Sequence, residues 1–213
     1  MSNLYPIFLS LEGRLCLVVG GGKVAERKIG SLLECGAMVR LVSPQVTGPI
    51  RQWAKQGRFE WLAKEYQTPD LAGAFLVFAA TDSEEVNHLI ARDCCERKLA
   101  VNVVNDPSQG NFFVPSVIRR GKLAIAVSTG GASPLMAARI RRQLESQFGP
   151  EYGELLDLLS DLRRRVLDNV EDINKRKAIF ADLVESDILQ LLKAKKYDQV
   201  KERLEHAYRS YRS

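Results

Sequence analysis

Five apolar stretches rich in β-branched residues recur along the first half of the chain, separated by polar or helical patterns. They occupy residues 14–19, 38–42, 59–64, 75–80 and 100–104. The fourth, FLVFAA, is apolar throughout, which is typical of a strand buried on both faces of a sheet. Strands that alternate with helices predict a parallel sheet, because parallel strands need a crossover connection.

Two of the intervening segments carry clear helical patterns. The first, KVAERKIGSLLEC, follows three glycines and stops at Gly36, and the second spans 84–98, with Asp82 or Ser83 placed to cap it. Strand, glycine turn and helix in this order predict an α/β fold of Rossmann type. Its ligand sites are expected at the carboxyl ends of the parallel strands.

The pattern changes beyond Pro107. Strand-like residues 112–118 and 123–128 flank the basic turn Arg119-Arg120-Gly121-Lys122, which predicts a β-hairpin. A helical pattern follows over 134–148, and almost everything after that is leucine- and charge-rich helix. The sequence therefore predicts three domains, at 1–111, 112–148 and 149–213.

Composition places the chain among ordinary globular proteins, with 213 residues, 46% of them apolar and 27% charged. No apolar run approaches the roughly 20 residues of a membrane span, and the first residues lack a basic region followed by a long apolar stretch. The four cysteines form no CxxC pair, and the two histidines are widely separated. We expect a cytoplasmic protein with no membrane contact and no bound metal.

The formal charge is +5, from 31 Lys and Arg against 26 Asp and Glu. Such a charge suits nucleic acid, an anionic lipid surface or a polyanionic small molecule. Charge alone does not choose among these three classes of partner.

The pattern Gly20-x-Gly22-x-x-Ala25 joins the first predicted strand to the first predicted helix. Missing side chains permit a tight turn and close approach of a ligand to the backbone, and the helix N-terminus can face a pyrophosphate. In this context the pattern predicts dinucleotide binding. The alternative is a glycine turn that binds nothing.

Rossmann domains commonly hold the adenosine ribose with an acidic residue at the end of the second strand. Here Ser43, Pro44 and Gln45 occupy that place. Arg40 is a candidate contact for the 2′-phosphate of NADP, but it lies within the strand. These residues leave the choice between NAD and NADP open.

A second glycine-rich loop, STGGASP at 128–134, precedes a predicted helix with Ser133 as N-cap and Pro134 as its first residue. Backbone amides of such a loop can bind an anion. Basic residues concentrate around it in sequence: Arg119, Arg120, Lys122, Arg139, Arg141 and Arg142. A polycarboxylate ligand would suit this charge; the alternative is a capped helix with a solvated basic face.

Asp106 is the candidate general base. It follows the fifth strand, where a polar side chain would face the ligand crevice. Asp106-Pro107 is also ordinary turn chemistry, so a purely structural role is the competing interpretation.

Several segments together resemble the precorrin-2 dehydrogenase domain, which is found alone or fused within siroheme synthases. They are YPIFLSLEGR, LVVGGGKVAERK, AATD with Asn87, VNVVNDP, FFVPS and AVSTGGASP. The likeness covers about residues 4–148 with matching order and spacing. It is specific, because ordinary Rossmann enzymes lack the VPS and STGGASP segments.

The resemblance implies an NAD-binding Rossmann domain, a dimerisation segment and a small helical domain, assembled as a homodimer that binds precorrin-2. It implies hydride transfer from precorrin-2 to NAD, which gives sirohydrochlorin, with no nucleic-acid or membrane partner. The eight carboxylates of the substrate would account for the basic hairpin and helix. Carried over by position, the cofactor contacts are Gly20, Gly21, Gly22, Lys23, Val24, Ser43, Pro44, Gln45, Thr81, Asp82 and Val103. By the same resemblance Ser128 would line the substrate pocket, and the charge of the hairpin and helix makes Arg119, Arg120 and Arg139 further candidate substrate contacts.

The catalytic aspartate of the family aligns with Asn105, and Asp106 comes one residue later. Either Asp106 serves through a shifted loop, or the reaction needs no carboxylate base, or water takes the proton. Some relatives also insert iron into sirohydrochlorin, and Asn105 together with the scarcity of histidine argues against that activity here. A bifunctional dehydrogenase and chelatase, and a non-enzymatic NAD(H)-responsive binding protein, are the alternative predictions.

Overall fold

In a computed structural model, which describes residues 4–210, the chain forms seven strands and eight α-helices. In chain order these are β1 (Leu15–Val19), α1 (Lys23–Glu34), β2 (Met38–Val42), α2 (Gly48–Lys55), β3 (Glu60–Leu62), β4 (Leu76–Ala79), α3 (Glu84–Glu96), β5 (Ala100–Val103), β6 (Ser116–Arg120), β7 (Leu123–Val127), α4 (Pro134–Gln147), α5 (Glu151–Asn169), α6 (Ile173–Glu185), α7 (Ile188–Lys193) and α8 (Tyr197–Ser210). Short 3-10 turns lie at Thr68–Leu71 and Pro107–Gln109.

The first five strands form one parallel sheet in the order β3-β2-β1-β4-β5. The predicted α/β fold with a parallel sheet is therefore confirmed. The chain turns back between β1 and β4, which are neighbours in the sheet although two strands separate them in sequence. In open α/β sheets ligands bind beyond the carboxyl ends of the strands at such a switch point.

Helices cover the central strands of this sheet on both faces. On one face Val18 and Phe78 pack with Ile29 of α1, and on the other Val19 and Val77 pack with Ile90 of α3. Because alternate side chains of a strand point to opposite faces, strands covered on both sides need apolar residues at every position. This explains the unbroken apolar runs of the sequence.

Two elements in this half differ from the prediction. β3 is only three residues long, where the sequence predicts a strand over 59–64. The eight-residue helix α2 has no counterpart in the prediction; it begins at Gly48-Pro49 and buries only Ile50. A helix with one buried residue has no periodic apolar stripe, and a proline at its start is accepted because the first turn needs no donor there.

Asn111 covers the open edge of β5. Its backbone N–H donates to Val101 O (3.0 Å), while its side-chain oxygen accepts from Val101 N (2.8 Å) and its amide nitrogen donates to Leu99 O (3.0 Å). One residue thus replaces part of a neighbouring strand, which satisfies edge groups that would otherwise be unpaired.

The described chain divides into two compact units, one ending at Val114 and the other beginning at Pro115. The sequence predicts three domains, and its second and third domains fall together in the second unit. The hairpin β6–β7 belongs there and pairs Arg120 with Leu123. Its turn is only Gly121-Lys122, with Gly121 at φ +54°, so Arg119 and Arg120 are strand residues and the predicted four-residue turn is wrong. Two-residue hairpin turns need such a positive φ.

Helices α5 to α8 bury their own apolar core. Its centre is formed by Val166, Ile179, Leu183 and Ala207, all fully buried, with Leu192 of α7 against them. Helix α4 begins at Pro134 with Ser133 as N-cap, as predicted, and the Ser133 hydroxyl accepts from Met136 N at 3.2 Å. Within residues 4–210, every helix is too short or too polar to cross a membrane.

Candidate functional site

The turn between β1 and α1 lies where the sheet order reverses. Gly20 has φ +111°, and a Cβ atom there would stand 2.2 Å from the Ala80 carbonyl oxygen at the end of β4. Both the backbone conformation and this close approach require glycine. Gly20 therefore joins the carboxyl ends of β1 and β4 without leaving space between them.

Gly21 is required by a different neighbour, the loop that follows β2. A Cβ atom on Gly21 would lie 1.9 Å from Gln45 O and 2.8 Å from the Ser43 hydroxyl. The Ser43 hydroxyl donates to Gln45 O (2.6 Å), and Thr47 N donates to Gly21 O (3.0 Å). The loop after β2 is thus hydrogen-bonded into one rigid piece with the glycine turn.

Gly22 differs from both. A Cβ atom there would meet nothing within 4 Å, and its φ of −82° and ψ of −172° are available to any residue. The protein's own packing does not need glycine at this position. The missing side chain instead leaves open space directly in front of helix α1.

The N-terminus of α1 is left free for a ligand. Gly22 is its N-cap and supplies no side chain, and the first backbone bond runs from Glu26 N to Gly22 O at 3.0 Å. The N–H groups of Lys23, Val24 and Ala25 come before Glu26 in the first turn and therefore have no acceptor within the helix. The helix dipole adds partial positive charge at the same place. An open cradle in front of free N–H groups fits the pyrophosphate of a dinucleotide.

The first turn of α1 is fastened to the start of α2. The Thr47 hydroxyl donates to the Glu26 carboxylate (2.6 Å), and Lys23 Nζ approaches the same carboxylate at 3.3 Å. The Thr47 hydrogen bond is the main reason that the pKa of Glu26 lies below its ordinary value. Lys23 itself is exposed, so its side chain is available at the mouth of the cradle.

At the end of β4, Asn87 holds the chain in place. Asn87 is 2% exposed; its oxygen accepts from the Thr81 hydroxyl (2.8 Å) and its amide nitrogen donates to Thr81 O (3.0 Å). This pair fixes the backbone at Thr81, beside Gly20. Asp82 is exposed next to it, and Ser83 rather than Asp82 caps α3 by accepting from Val86 N.

The end of β2 carries no acidic residue, as the sequence indicates. Ser43 is buried and committed to Gln45 O, while Pro44 and Gln45 are exposed where an adenosine ribose would lie. Arg40 points elsewhere: its Nε donates to Glu60 Oε2 at 2.6 Å and it reaches Ala72 O at 3.2 Å. It is not placed to meet a 2′-phosphate.

Asp106 acts as the cap of the 3-10 turn after β5. One carboxylate oxygen accepts from Ser108 N (3.0 Å) and the Ser108 hydroxyl (2.5 Å), and the other accepts from Gln109 Nε2 (2.6 Å). The Ser108 hydroxyl, then Gln109, hold the pKa of Asp106 below its ordinary value. A carboxylate stabilised by three donors is a weaker proton acceptor than a free one.

The Asp106 network ends at a histidine. Gln109 Nε2 also contacts His88 Nε2 at 2.5 Å, beside an open groove of about 550 Å³ that includes Arg92 and Cys95. Asn105 is exposed, and Val103 is buried, so Val103 can reach a ligand only through its backbone.

In the second unit, the loop between β7 and α4 is braced by its own side chains. Thr129 Oγ1 accepts from Ser133 N and donates to Ser133 O, both at 3.1 Å, and Ser128 Oγ accepts from Gly130 N at 3.2 Å. Gly130 and Gly131 adopt φ of 61° and 86°. Ser128 is exposed, but its hydroxyl already takes part in this loop.

The predicted basic cluster separates into structural and exposed residues. Arg120 donates to Phe148 O (3.1 Å), Lys122 pairs with Asp157 (3.2 Å), and Arg141 pairs with Glu145 (2.6 Å). These three hold the hairpin and α4 within their own unit. The side chains of Arg139 and Arg142 are exposed, one helical turn apart, and Arg119 is also exposed.

Three family models match consecutive parts of the chain. The first, described as putative NAD(P)-binding, covers residues 7–116. The second, described as sirohaem biosynthesis protein central, covers residues 120–147, and the third, the sirohaem synthase dimerisation region, covers residues 151–207. The first model alone matches just over half of the chain.

The chain belongs to this NAD(P)-binding family. The resemblance expected from the sequence is confirmed. Gly22 and the start of α1 lie within the segment that the NAD(P)-binding model matches.

Curated proteins similar to the chain are siroheme synthases. The siroheme synthase of Pseudomonas aeruginosa (strain LESB58) is 39% identical over 188 residues, which are 88% of this chain and 40% of that protein. That of Xylella fastidiosa (strain M12) is 38% identical over 205 residues, 96% of this chain and 43% of that protein. The chain thus spans about two fifths of the length of the curated relatives it matches.

A solved structure extends the comparison. SirC, described as a precorrin-2 dehydrogenase, superposes with a TM-score of 0.76 and 28% sequence identity, over 93% of this chain and 100% of that one. The α/β domain, the hairpin with its helix and the C-terminal helices therefore each have a counterpart in a solved structure.

Sequence reasoning missed several residues that build this site. Asn87 was recognised only as part of a motif, and Thr47, Glu26 and Gln109 were not singled out. A polar residue on the otherwise apolar face of α3 is the signal that could have marked Asn87, since buried amides need partners. Thr47 and Gln109 lie in polar loops, where no pattern distinguishes them.

Proposed function

We propose that this chain is an NAD-dependent dehydrogenase that oxidises precorrin-2 to sirohydrochlorin in siroheme biosynthesis. The observation that carries the proposal is the match to SirC, a precorrin-2 dehydrogenase, along the whole of that chain. The open cradle at Gly22 supports it, because a dinucleotide needs such a space at this point of the sheet.

The residues at the sheet edge would hold NAD, which supplies the hydride acceptor when bound. Lys23 and Val24 offer backbone N–H groups to the pyrophosphate, with Gly20, Gly21 and Gly22 keeping the path to them clear. Pro44 and Gln45 border the ribose, and Thr81, Asp82 and Val103 border the nicotinamide end. Bound NAD would serve as the hydride acceptor, so that precorrin-2 would lose one hydride and one proton to give sirohydrochlorin, NADH and H⁺.

NAD suits this site better than NADP. A 2′-phosphate needs a cation at the end of β2, and Arg40, the candidate in that strand, is held by Glu60 and Ala72 O on another side. We expect a clear preference for NAD in turnover.

For the proton, we place water rather than Asp106 as the acceptor. Asp106 already accepts three hydrogen bonds and has a lowered pKa, so it is better suited to shape the turn that presents Asn105. Asn105 would orient that water or the substrate through its amide. Of the two candidates, Asn105 is thus the proposed catalytic residue and Asp106 the proposed positioning residue.

The substrate carboxylates would meet exposed groups of the second unit. Arg119, Arg139 and Ser128 are exposed in that unit, whereas the Arg120 side chain is 24% exposed and donates to Phe148 O. We therefore assign Arg120 to the stability of the unit formed by β6, β7 and α4, and we keep the three more exposed residues as proposed substrate contacts. A charge-reversing Arg139→Glu change should raise KM for precorrin-2 and leave NADH binding intact.

The active protein is proposed to be a homodimer. Residues 151–207 match a dimerisation region, and large apolar side chains of this unit are exposed, among them Ile173 (62%) and Val184 (66%). Such exposed apolar side chains are typical of surfaces covered by a partner. Sedimentation equilibrium should give twice the chain mass, and Val184→Glu should shift it toward the monomer.

Anaerobic turnover tests the reaction itself. Enzymatically generated precorrin-2 is mixed with the protein and NAD or NADP, and absorbance at 340 nm is followed together with that of sirohydrochlorin. Equal formation of NADH and sirohydrochlorin supports the proposal. Tight NADH binding by folded protein without turnover would favour the NAD(H)-responsive binding protein instead, and insertion of Fe²⁺ into the product would reveal the chelatase. The expected cytoplasmic location stays a prediction.

A further inference from the structure

Lys28 is a half-buried cation that the proposed reaction has not used. It lies on α1, and its ammonium stands 5.4 Å from the centre of the Phe78 ring of β4. Phe78 in turn meets Phe112 edge to face, with ring centres 5.4 Å apart. Among the described residues, no carboxylate forms an ion pair with Lys28.

The surroundings of Lys28 disfavour its charge. Burial, and then the nearby Arg27 on the same helix, lower the pKa of Lys28 from 10.5 to about 8. From the sheet side the group that faces it is the uncharged Phe78 ring, and no acidic residue of β4 or of the neighbouring segments offsets the burial. A buried charge without a counter-charge costs stability, so a partner supplied by a ligand would satisfy it.

Lys28 also lies near the carboxyl end of the sheet, because its ammonium contacts the ring of Phe78 in the second half of β4. Side chains of a helix generally lean toward its N-terminus, which in α1 is the direction of Gly22. Phe78 lies only two residues before Ala80, whose carbonyl oxygen abuts Gly20. The ammonium is thus close to the carboxyl edge where the nucleotide binds.

The sheet face beside Lys28 is incompletely covered. On the α3 face of β5, Val101 and Val103 are each 2% exposed. On the α1 face, Ala100 and Asn102 are partly exposed, as are Val104 and Phe112 just beyond the strand. An apolar surface with one unpaired cation at its border fits a flat, apolar ring that carries carboxylates.

We infer that Lys28 binds a carboxylate of the tetrapyrrole substrate, an inference that rests on the proposed function. The ammonium, charged below pH 8, anchors one acidic arm, while the ring lies against the apolar face near Phe112. Binding therefore weakens as Lys28 loses its proton, although the carboxylates of the substrate stay ionised.

Two substitutions separate this role from simple packing. Lys28→Met keeps the apolar stem over Phe78 and removes the charge; we expect the KM for precorrin-2 to rise about tenfold or more, as for loss of a charge-assisted hydrogen bond. Its thermal stability at pH 7 should be equal or higher, because the burial cost of the ammonium is gone. Lys28→Arg keeps a charge that does not titrate, so its KM should stay level from pH 7.5 to 9.5 while that of the wild type rises.

The matched control is Lys55→Met, which removes an exposed lysine of α2 in the same unit. Binding of NADH without tetrapyrrole, measured by calorimetry, should be the same in all variants. An unchanged KM in Lys28→Met, an equal change in Lys55→Met, or weaker NADH binding in Lys28→Met each overturns the inference. The last result would assign Lys28 to the cofactor phosphates.

A binding measurement keeps this test independent of turnover. The protein should quench the fluorescence of an octacarboxylate porphyrin when it binds it, and a titration gives the Kd in the absence of any reaction. If the wild type fails to oxidise precorrin-2, the proposed function is wrong, yet a Kd that rises tenfold in Lys28→Met still supports the carboxylate site. Equal porphyrin Kd values in wild type and Lys28→Met refute it.

Discussion

A substitution at Gly22, the third of the three consecutive glycines, should have opposite effects on the stability of the fold and on cofactor binding. Gly22 is the N-cap of α1, has an ordinary extended backbone and faces open space. Aspartate is a better N-cap than glycine by a few tenths of a kcal/mol, and its charge at a helix N-terminus adds about 0.3–1 kcal/mol. Gly22→Asp should therefore fold normally and melt at an equal or slightly higher temperature.

The same substitution should prevent dinucleotide binding. Its carboxylate would occupy the space in front of the Lys23 and Val24 N–H groups, where the pyrophosphate is proposed to lie. Two like charges about 4 Å apart repel by about 4 kcal/mol at an effective dielectric constant near 20, and salt reduces this. A loss of about 3 kcal/mol corresponds to a Kd for NADH more than a hundredfold higher.

Calorimetry with NADH and thermal unfolding together check this prediction. Gly22→Ser, also a good N-cap but neutral, isolates the charge and should lose less affinity than Gly22→Asp. Gly21→Ala is the contrasting variant: its Cβ would lie 1.9 Å from Gln45 O, so it should lose about 3 kcal/mol of stability by overpacking. A folded Gly22→Asp protein that binds NADH as tightly as the wild type would refute the assignment of the cradle.

Three further predictions concern the hydrogen bonds around this edge. Asp106→Asn should lower kcat less than tenfold if Asp106 only shapes its turn, whereas a loss of a thousandfold in a steady-state assay would identify it as the base. Asn87→Ala should destabilise the fold by about 1–3 kcal/mol in urea unfolding and raise KM for NAD, because buried groups of Thr81 lose their partner; an unaltered KM would contradict the positioning role. Thr47→Val should raise the pKa of Glu26 in an NMR titration, because the Thr47 hydrogen bond is lost. A lowered pKa stabilises the fold at pH values above the ordinary pKa of a glutamate, and this stabilisation is lost as the pH falls. The free energy of unfolding of the variant should therefore differ most from that of the wild type near neutral pH and least in acid.

The sequence by itself determined the five strands and the two long helices of the first half, and it predicted a nucleotide site after β1. Apolar runs such as 75–80 predict buried strands because alternate side chains must be buried on two faces, and the Gly20 to Ala25 pattern places a turn and a helix start next to β1. Ser133 as the cap of α4 was likewise predictable. These features depend on neighbours close in the chain, so local patterns contain them.

Only the tertiary structure decided which role each of these residues has. Ala80 O leaves no space for a side chain at Gly20, and Gln45 O leaves none at Gly21. The open space at Gly22 therefore becomes evident only once β1, β2 and β4 are aligned. The direction of Arg40 and the pairing of Arg120 within its unit depend in the same way on strand register and helix packing. Residues adjacent in sequence acquired different functions because their contacts come from segments tens of residues away, and sequence spacing does not encode those distances.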